Sequence, residues 1–455
     1  MGVGIAAGQY AGMGRRAMLR TGVLGGGAAL AMGAAGGFSR AAAASQPPFE
    51  LFAQSDLNFE TLFTLGSAGY GCAEVGEVVT TVNRINAAGA SYQSYYDGFM
   101  AMARSVDALA GRELQAGHTA SARSAYLRAA SYYDACLFFV LGTTSHALEA
   151  DVYAAMQRCW NLASQLFDPP FERVKIPYGR TWMPGYLLRP DARPVRRPTV
   201  ILNNGSDAQN VDLYAFGGAA ALERGYNALI FEGPGQGSML FERQIPLRVD
   251  WEHVVTPIVD YLSSRPEVDR KRIAITGWSL CGESVIRAAA FEHRLAAVVA
   301  DPGVLDAWLI WPSSIRSLFT PGATKQQVNA EWQAVIPHLD AVSRFTLMKR
   351  AELYARQFLL AGRSGQVFTN LWLLGQILMQ LNVSKVAPLV TSPTLITQYE
   401  LDSFATNQAK PVYNLLRSPK AYHYFTSAHG AEYHDAPMAP QTRNQVVFDW
   451  LDDTL

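Results

Sequence analysis

Between residues 199 and 300 the chain alternates short, mostly apolar runs with longer amphipathic ones. Residues 199–202, 228–231, 273–276 and 295–300 are short and mostly apolar, while 211–224, 251–262 and 283–291 carry apolar residues at helical spacing. Short apolar runs suit strands buried on both faces, and two parallel strands need a crossover of a dozen or more residues, which the helical stretches supply. The expected fold class is α/β, a mostly parallel sheet with helices on both faces. The rhythm breaks between about 305 and 386, where helix-like, Trp- and Leu-rich sequence predicts an insertion over the sheet, and resumes at 394–397, 410–416, 422–425 and 441–451. Upstream, residues 58–166 are Ala-rich and poor in proline. Their three- and four-residue apolar spacing is clearest at Ala125, Leu127, Ala130, Tyr133, Leu137 and Val140, and predicts a helical N-terminal or cap domain. After Asp168-Pro169-Pro170, the β-like runs 171–178 and 182–188 flank Gly179 and predict a hairpin. The expected division is 1–44, 45–168 and 169–455.

Composition narrows the function. With 49% hydrophobic and 17% charged residues in 455, the chain can bury a large core. Lys plus Arg equals Asp plus Glu at 38 each, so no basic field gathers nucleic acid or anionic lipid. Cys72, Cys136, Cys159 and Cys281 form no C-x-x-C pair, which argues against a structural zinc site or disulfide scaffold and leaves free thiols. Residues 14–20 read Gly-Arg-Arg-Ala-Met-Leu-Arg, followed by a weakly apolar, glycine-rich run and Ala41 to Ala44. This order resembles a bacterial twin-arginine signal, so export to the periplasm or exterior is expected, with cleavage after Ala44. The run is short for a membrane span, and no stable membrane insertion is expected after processing. A small-molecule substrate is the expected partner, with a homodimer left open.

The chemistry centres on residues 273–283, Ile-Ala-Ile-Thr-Gly-Trp-Ser-Leu-Cys-Gly-Glu, where Gly277, Ser279 and Gly282 lie between a buried strand and a helix. Such a strand-turn-helix elbow projects the serine hydroxyl above the sheet over a helix N-terminus, a geometry suited to a nucleophile and an oxyanion. Cys281 stands where the Gly-x-Ser-x-Gly pattern has its second glycine. A nucleophilic serine needs a base and an acid, which on such a sheet follow late in the chain. Asp402, just past the strand 394–397, is the expected acid, with Glu400 the alternative. The base is His429 or His434, both in the loop beyond the last strand, and spacing alone barely separates them. The oxyanion needs two backbone donors, expected from Leu280 and from Ser206 in Asn203-Asn-Gly-Ser-Asp207. A second glycine cluster, Glu232-Gly-Pro-Gly-Gln-Gly237, lacks the lysine and spacing of phosphate-binding loops and is expected as a tight loop lining the crevice.

These residues resemble the α/β-hydrolase fold. More narrowly they resemble the branch with 2,6-dihydroxypseudooxynicotine hydrolase, fungal heptaketide hydrolases and the fermentation-respiration switch esterase. The likeness rests on residues 117–133, on Gly233-Pro-Gly-Gln-Gly237, on Gly277-Trp-Ser279 and on Gly430-Ala-Glu-Tyr-His434. The last segment is similar to that branch's Gly-Ala-x-x-His motif, which implies His434 as the base. Glu232 stands where Asp often precedes the glycine cluster, and Asp435 where Cys often follows the histidine. The expectation is a serine hydrolase without cofactor or metal, acting through an acyl-enzyme on an ester or on the C–C bond of an aryl or polyketide-like 1,3-dicarbonyl. Its rivals are an amidase or exopeptidase of the same fold and a noncatalytic exported binding protein. Tyr132-Tyr133, residues 308–311 and residues 371–378 are potential walls of an aryl pocket, with core packing as the commoner use of such residues.

Overall fold

The computed structural model describes residues 49–455. The proposed signal, residues 1–44, lies outside the described residues. Eight strands form one sheet: β1 (Glu172–Tyr178), β2 (Thr181–Leu188), β3 (Arg197–Asn203), β4 (Asn227–Phe231), β5 (Val268–Trp278), β6 (Ala297–Asp301), β7 (Thr394–Tyr399) and β8 (Lys420–Phe425). Their order is β1-β2-β4-β3-β5-β6-β7-β8. β1 and β2 form an antiparallel hairpin through Gly179, β2 pairs antiparallel with β4, and the remaining pairs are parallel. β4 and β6 are buried at every position, as strands covered on both faces must be.

Among the described residues, five longer helices precede the sheet: α1 (Ser55–Gly66), α2 (Val75–Ala88), α3 (Tyr92–Gln115), α4 (Thr119–Phe139) and α5 (Glu149–Gln165). Ser91 starts α3 with a reciprocal capping box to Ser94, satisfying amides that the first turn leaves unpaired. Trp160 of α5 is fully buried and meets Tyr186 of β2 edge to face, with ring centroids 5.4 Å apart. The helical layer and the sheet share a continuous hydrophobic core.

Helices α6 (Glu252–Ser264) and α7 (Cys281–Ala289) pack together on one side of the sheet. Residues 210–223 and the terminal helix α12 (Pro440–Thr454) pack together elsewhere on it. Residues 210–223 are not one regular helix: Tyr214–Gly218 form a π turn. Between β6 and β7 the insertion supplies α8 (Lys325–Val335), α9 (Ala341–Ala351), α10 (Arg356–Arg363) and α11 (Leu371–Leu378). It docks on the N-terminal helices through Phe345, whose ring lies 4.4 Å from that of Tyr92 and 5.4 Å from that of Phe139. Arg363 donates to the buried Glu149 at 2.7 Å.

A buried ion pair ties the terminal helix to the centre of the sheet. Arg443 Nε donates to Asp301 Oδ2 at 2.5 Å, Tyr399 donates to Asp301 Oδ1 at 2.5 Å, and Thr397 donates there too. Both charges are almost wholly inaccessible. Arg443→Met is expected to strand the carboxylate and lower stability by about 3–5 kcal/mol, the usual cost of removing one partner from a buried pair. Urea unfolding of the two proteins measures it.

Candidate active site

β5 runs into α7 through a turn in which Ser279 has φ +50°, a left-handed conformation that few side chains adopt. The turn is held by the Ser279 amide, which donates to the Asp301 carbonyl at 2.8 Å. Close approach explains the flanking glycine: a Cβ at Gly282 would sit 1.9 Å from the Pro302 carbonyl oxygen. Position 281 tolerates a cysteine because the tight contact falls one residue later, at Gly282; the Cys281 thiol is buried and touched by the Gln236 amide.

His434 Nε2 lies 2.8 Å from Ser279 Oγ, and His434 Nδ1 lies 3.1 Å from Asp402 Oδ1. Asp402 Oδ1 also accepts from the amides of Phe404 and Ala405 at 2.8 and 2.9 Å, which fixes the carboxylate. Glu400 is exposed and accepts from the Ser427 amide, while His429 is exposed on the turn Ser427–His429. The structure thus brings Ser279, His434 and Asp402 together and leaves Glu400 and His429 outside the chain of contacts.

Burial works against a charge on His434, but Asp402, Asp435 and Asp301 outweigh it and raise the imidazole to about 9. Asp402 in turn is lowered: its burial opposes ionisation, and the His434 charge and the hydrogen bonds overcome it. Asp435 Oδ2 lies 3.5 Å from His434 Nε2, and burial pushes this carboxyl upward.

Ser206 and Leu280 line the same cavity as Ser279 and His434. The chain at 203–207 can come this close because residue 205 is glycine; a Cβ there would stand 2.9 Å from both Ser279 Cβ and the Trp278 carbonyl oxygen. The glycine cluster at 232–237 does not line the cavity, contrary to expectation. It braces the Ser206 loop from behind: Gln236 Nε2 donates to the carbonyls of Asn204 at 2.7 Å and Gly205 at 3.2 Å. Glu232 collects Tyr153, Gln157, Asn210 and Ser238 as donors and so joins that loop to α5.

The cavity above Ser279 measures about 1150 Å³. Phe59 of α1, Phe138 of α4 and Ile310, Trp311 and Leu318 of the insertion supply apolar wall, whereas Tyr132, Tyr133 and α11 pack elsewhere. The wall also carries charged side chains. Asp56, Glu60, Lys349 and Arg350 reach it, and burial pushes Glu60 up to about 8 against the pull of Arg350. Arg350 pairs with Asp207, next to Ser206, and its Nη2 lies 3.6 Å from Glu60 Oε1. Arg350 sits in no motif and is not legible in the sequence; Gln236 lies within the glycine cluster, but its role as a brace for the Ser206 loop shows only once the fold sets that loop beside it. Among the described residues, no group of three or more His, Cys, Asp or Glu side chains is placed to hold a metal, and no helix is long and apolar enough to cross a membrane.

The fold is that of an α/β-hydrolase. Residues 102–318 match the esterase FrsA-like family. The chain is 35% identical over 281 residues to the 20-hydroxy-prefusarin hydrolase FUS2 of Gibberella moniliformis, covering 60% of this chain and 66% of that one. It is 32% identical over 328 residues to the hydrolase phmG of Phaeosphaeria nodorum, covering 67% and 73%. The crystal structure of 2,6-dihydroxy-pseudo-oxynicotine hydrolase superposes with a TM-score of 0.63 at 21% identity, covering 88% of this chain and 96% of that one. The chain therefore belongs to the α/β-hydrolase family, in the branch that holds these fungal hydrolases, and spans about two thirds of the length of such curated relatives. These relatives are fungal, which gives the expected bacterial export no support.

The charge around His434 makes a pH prediction. A base at His434 can take a proton only as the neutral imidazole, so activity that depends on such a base should rise with pH toward the His434 value near 9. Asp435→Asn removes one of the carboxylates that raise it, and asparagine tolerates the φ of +61° at this position. The alkaline rise of kcat/KM should move to lower pH by about one unit, the scale of a single near charge; the measurement is the pH profile of both proteins on one ester.

Proposed function

We propose that this protein is a serine hydrolase of compact carbonyl compounds, with Ser279 as nucleophile, His434 as base, Asp402 as the acid that orients it, and the Ser206 and Leu280 amides as oxyanion donors. The observation that carries the reading is the chain Ser279 Oγ to His434 Nε2 to Asp402, at 2.8 and 3.1 Å, opening into the large capped cavity. His434 takes the serine proton as Oγ attacks the carbonyl carbon. Asp402 holds the imidazole with Nε2 toward the serine and stabilises its charged form. The oxyanion lies between the two amides, the leaving group departs with the proton on His434, and water releases the acyl group.

The cavity supports a substrate of aryl or polyketide size, held by the aromatic wall near Phe59, Phe138 and Trp311. An ester or the C–C bond of a 1,3-dicarbonyl fits this machinery, because in either case the leaving group is an anion that His434 can protonate. The relative named for 20-hydroxy-prefusarin lends the polyketide-like choice further support. A peptidase acting on long chains would need an open groove, and here α1 and the insertion stand over the nucleophile.

Ser279→Ala should keep the fold and abolish both turnover and labelling by a fluorophosphonate. His434→Ala should cost several orders of magnitude and His429→Ala very little, the reverse ranking moving the base to His429. On a panel of small aryl esters, aryl 1,3-diketones and long peptides, turnover is expected on the first two classes. Efficient cleavage of long peptides with none of small carbonyl compounds would favour the peptidase reading.

A further inference from the structure

Two cavities meet at Ser279 and His434. The larger is the substrate cavity. The smaller, about 100 Å³, lies behind the Ser206 loop, between α1 and α4 and the ends of the strands that carry the site. Thr64, Tyr95 and Ala135 come to it from the helical layer, and Asp207, Trp278 and Asp435 from the side of the sheet.

Its chemistry differs from that of the substrate cavity. Asp207 Oδ1, Trp278 Nε1 and Asp435 Oδ1 are buried and have no hydrogen-bonding partner in the protein. Two acceptors and a donor in residues that line a space of this size are the setting that holds internal water, and the volume suits about three molecules at ~30 Å³ each. A purely apolar space would stay dry.

Its position matters more. Asp435 lines the small cavity and not the large one. Its Oδ2 stands 3.5 Å from His434 Nε2, the same nitrogen that faces Ser279 Oγ at 2.8 Å. After acylation, the acyl group occupies the large cavity on the Ser279 side. The nitrogen that must next deprotonate water then has its remaining polar neighbour on the small-cavity side.

We infer that the small cavity is a water-binding site that feeds deacylation, with Asp435 anchoring the molecule that His434 activates. The inference rests on the serine-hydrolase reading and adds the route of its second substrate. In the step, the water oxygen bonds to the acyl carbon while His434 Nε2 takes a water proton. The carbon–Oγ bond then breaks, the proton passes from His434 to Ser279 Oγ, and the product leaves as the acid with the serine restored.

The test fills the cavity without touching the triad or the Ser206 loop. Ala135→Leu adds volume from α4 and Thr64→Ile from α1, so one variant decides if the other does not fold. With a p-nitrophenyl ester of a bulky aryl acid, rapid mixing reads acylation as a burst of p-nitrophenol, the later linear rate reads turnover, and intact mass reads the acyl-enzyme. The burst rate should stay near that of the parent, while turnover falls roughly tenfold and the acylated mass accumulates. Burst and turnover both unchanged in the folded variants would overturn the inference. So would a parallel fall of both steps, which would make the cavity part of substrate binding. If Ser279→Ala keeps turnover or the parent takes no fluorophosphonate at Ser279, the serine-hydrolase reading fails, and the inference with it.

Discussion

The crowded turn at Ser279 is the constraint on which the rest of the site depends. A residue with φ +50° is held there by one amide bond to the Asp301 carbonyl, and the helix that follows approaches Pro302 so closely that position 282 has no room for a Cβ. Asp301 therefore acts twice. Its backbone fixes the elbow, and its side chain, paired with Arg443 and bonded to Tyr399, locks β6 to β7 and to the terminal helix. Burying those two charges is costly unless every partner is in place. The same network that would strand a charge if broken thus sets the height of the serine above the sheet, and Asp301 adds to the field that raises His434.

The second dependency runs between the cap and the oxyanion loop. Asp207 follows Ser206 directly, and its partner is Arg350 of α9, which also faces Glu60 of α1. The Arg350 guanidinium lies 5.1 Å from the centroid of the Phe404 ring, and that ring lies 4.9 Å from the imidazole of His434. The insertion and the N-terminal layer are therefore not a lid resting on a finished site. They supply the charges that hold the Ser206 loop from one side, while Gln236 holds the same loop from behind. Ion pairs at such partly buried positions owe their strength to exclusion of solvent, so packing of the aromatic cluster around Phe345 bears on the electrostatics nearby.

Much of this architecture is legible in the residues themselves. Mostly apolar runs of four to six residues, spaced by amphipathic stretches, permit little besides a parallel sheet covered on both faces, and the hairpin of β1 and β2 announces itself through Gly179. The elbow is legible because its glycines are required by close contact. Asp402 and His434 were narrowed by their place after strands, a local property, yet Glu400 and His429 share that place. What separates the pairs is orientation: Glu400 turns outward to the Ser427 amide, and Asp402 is turned inward by the amides of Phe404 and Ala405.

The sequence by itself determined the sheet, the serine on its turn and the late acid and histidine, because strand burial, turn sterics and chain order are local or periodic and survive without knowledge of neighbours. Only the tertiary structure decided the rest. It brought Arg350 to Asp207, moved the glycine cluster from the cavity wall to a brace behind it, placed Asp435 against His434, and set Asp56, Glu60, Lys349 and Arg350 on the cavity wall. Each of these is a contact between residues distant in the chain or a choice of side-chain direction. Their energies come from burial and charge proximity, which exist only once the core has closed.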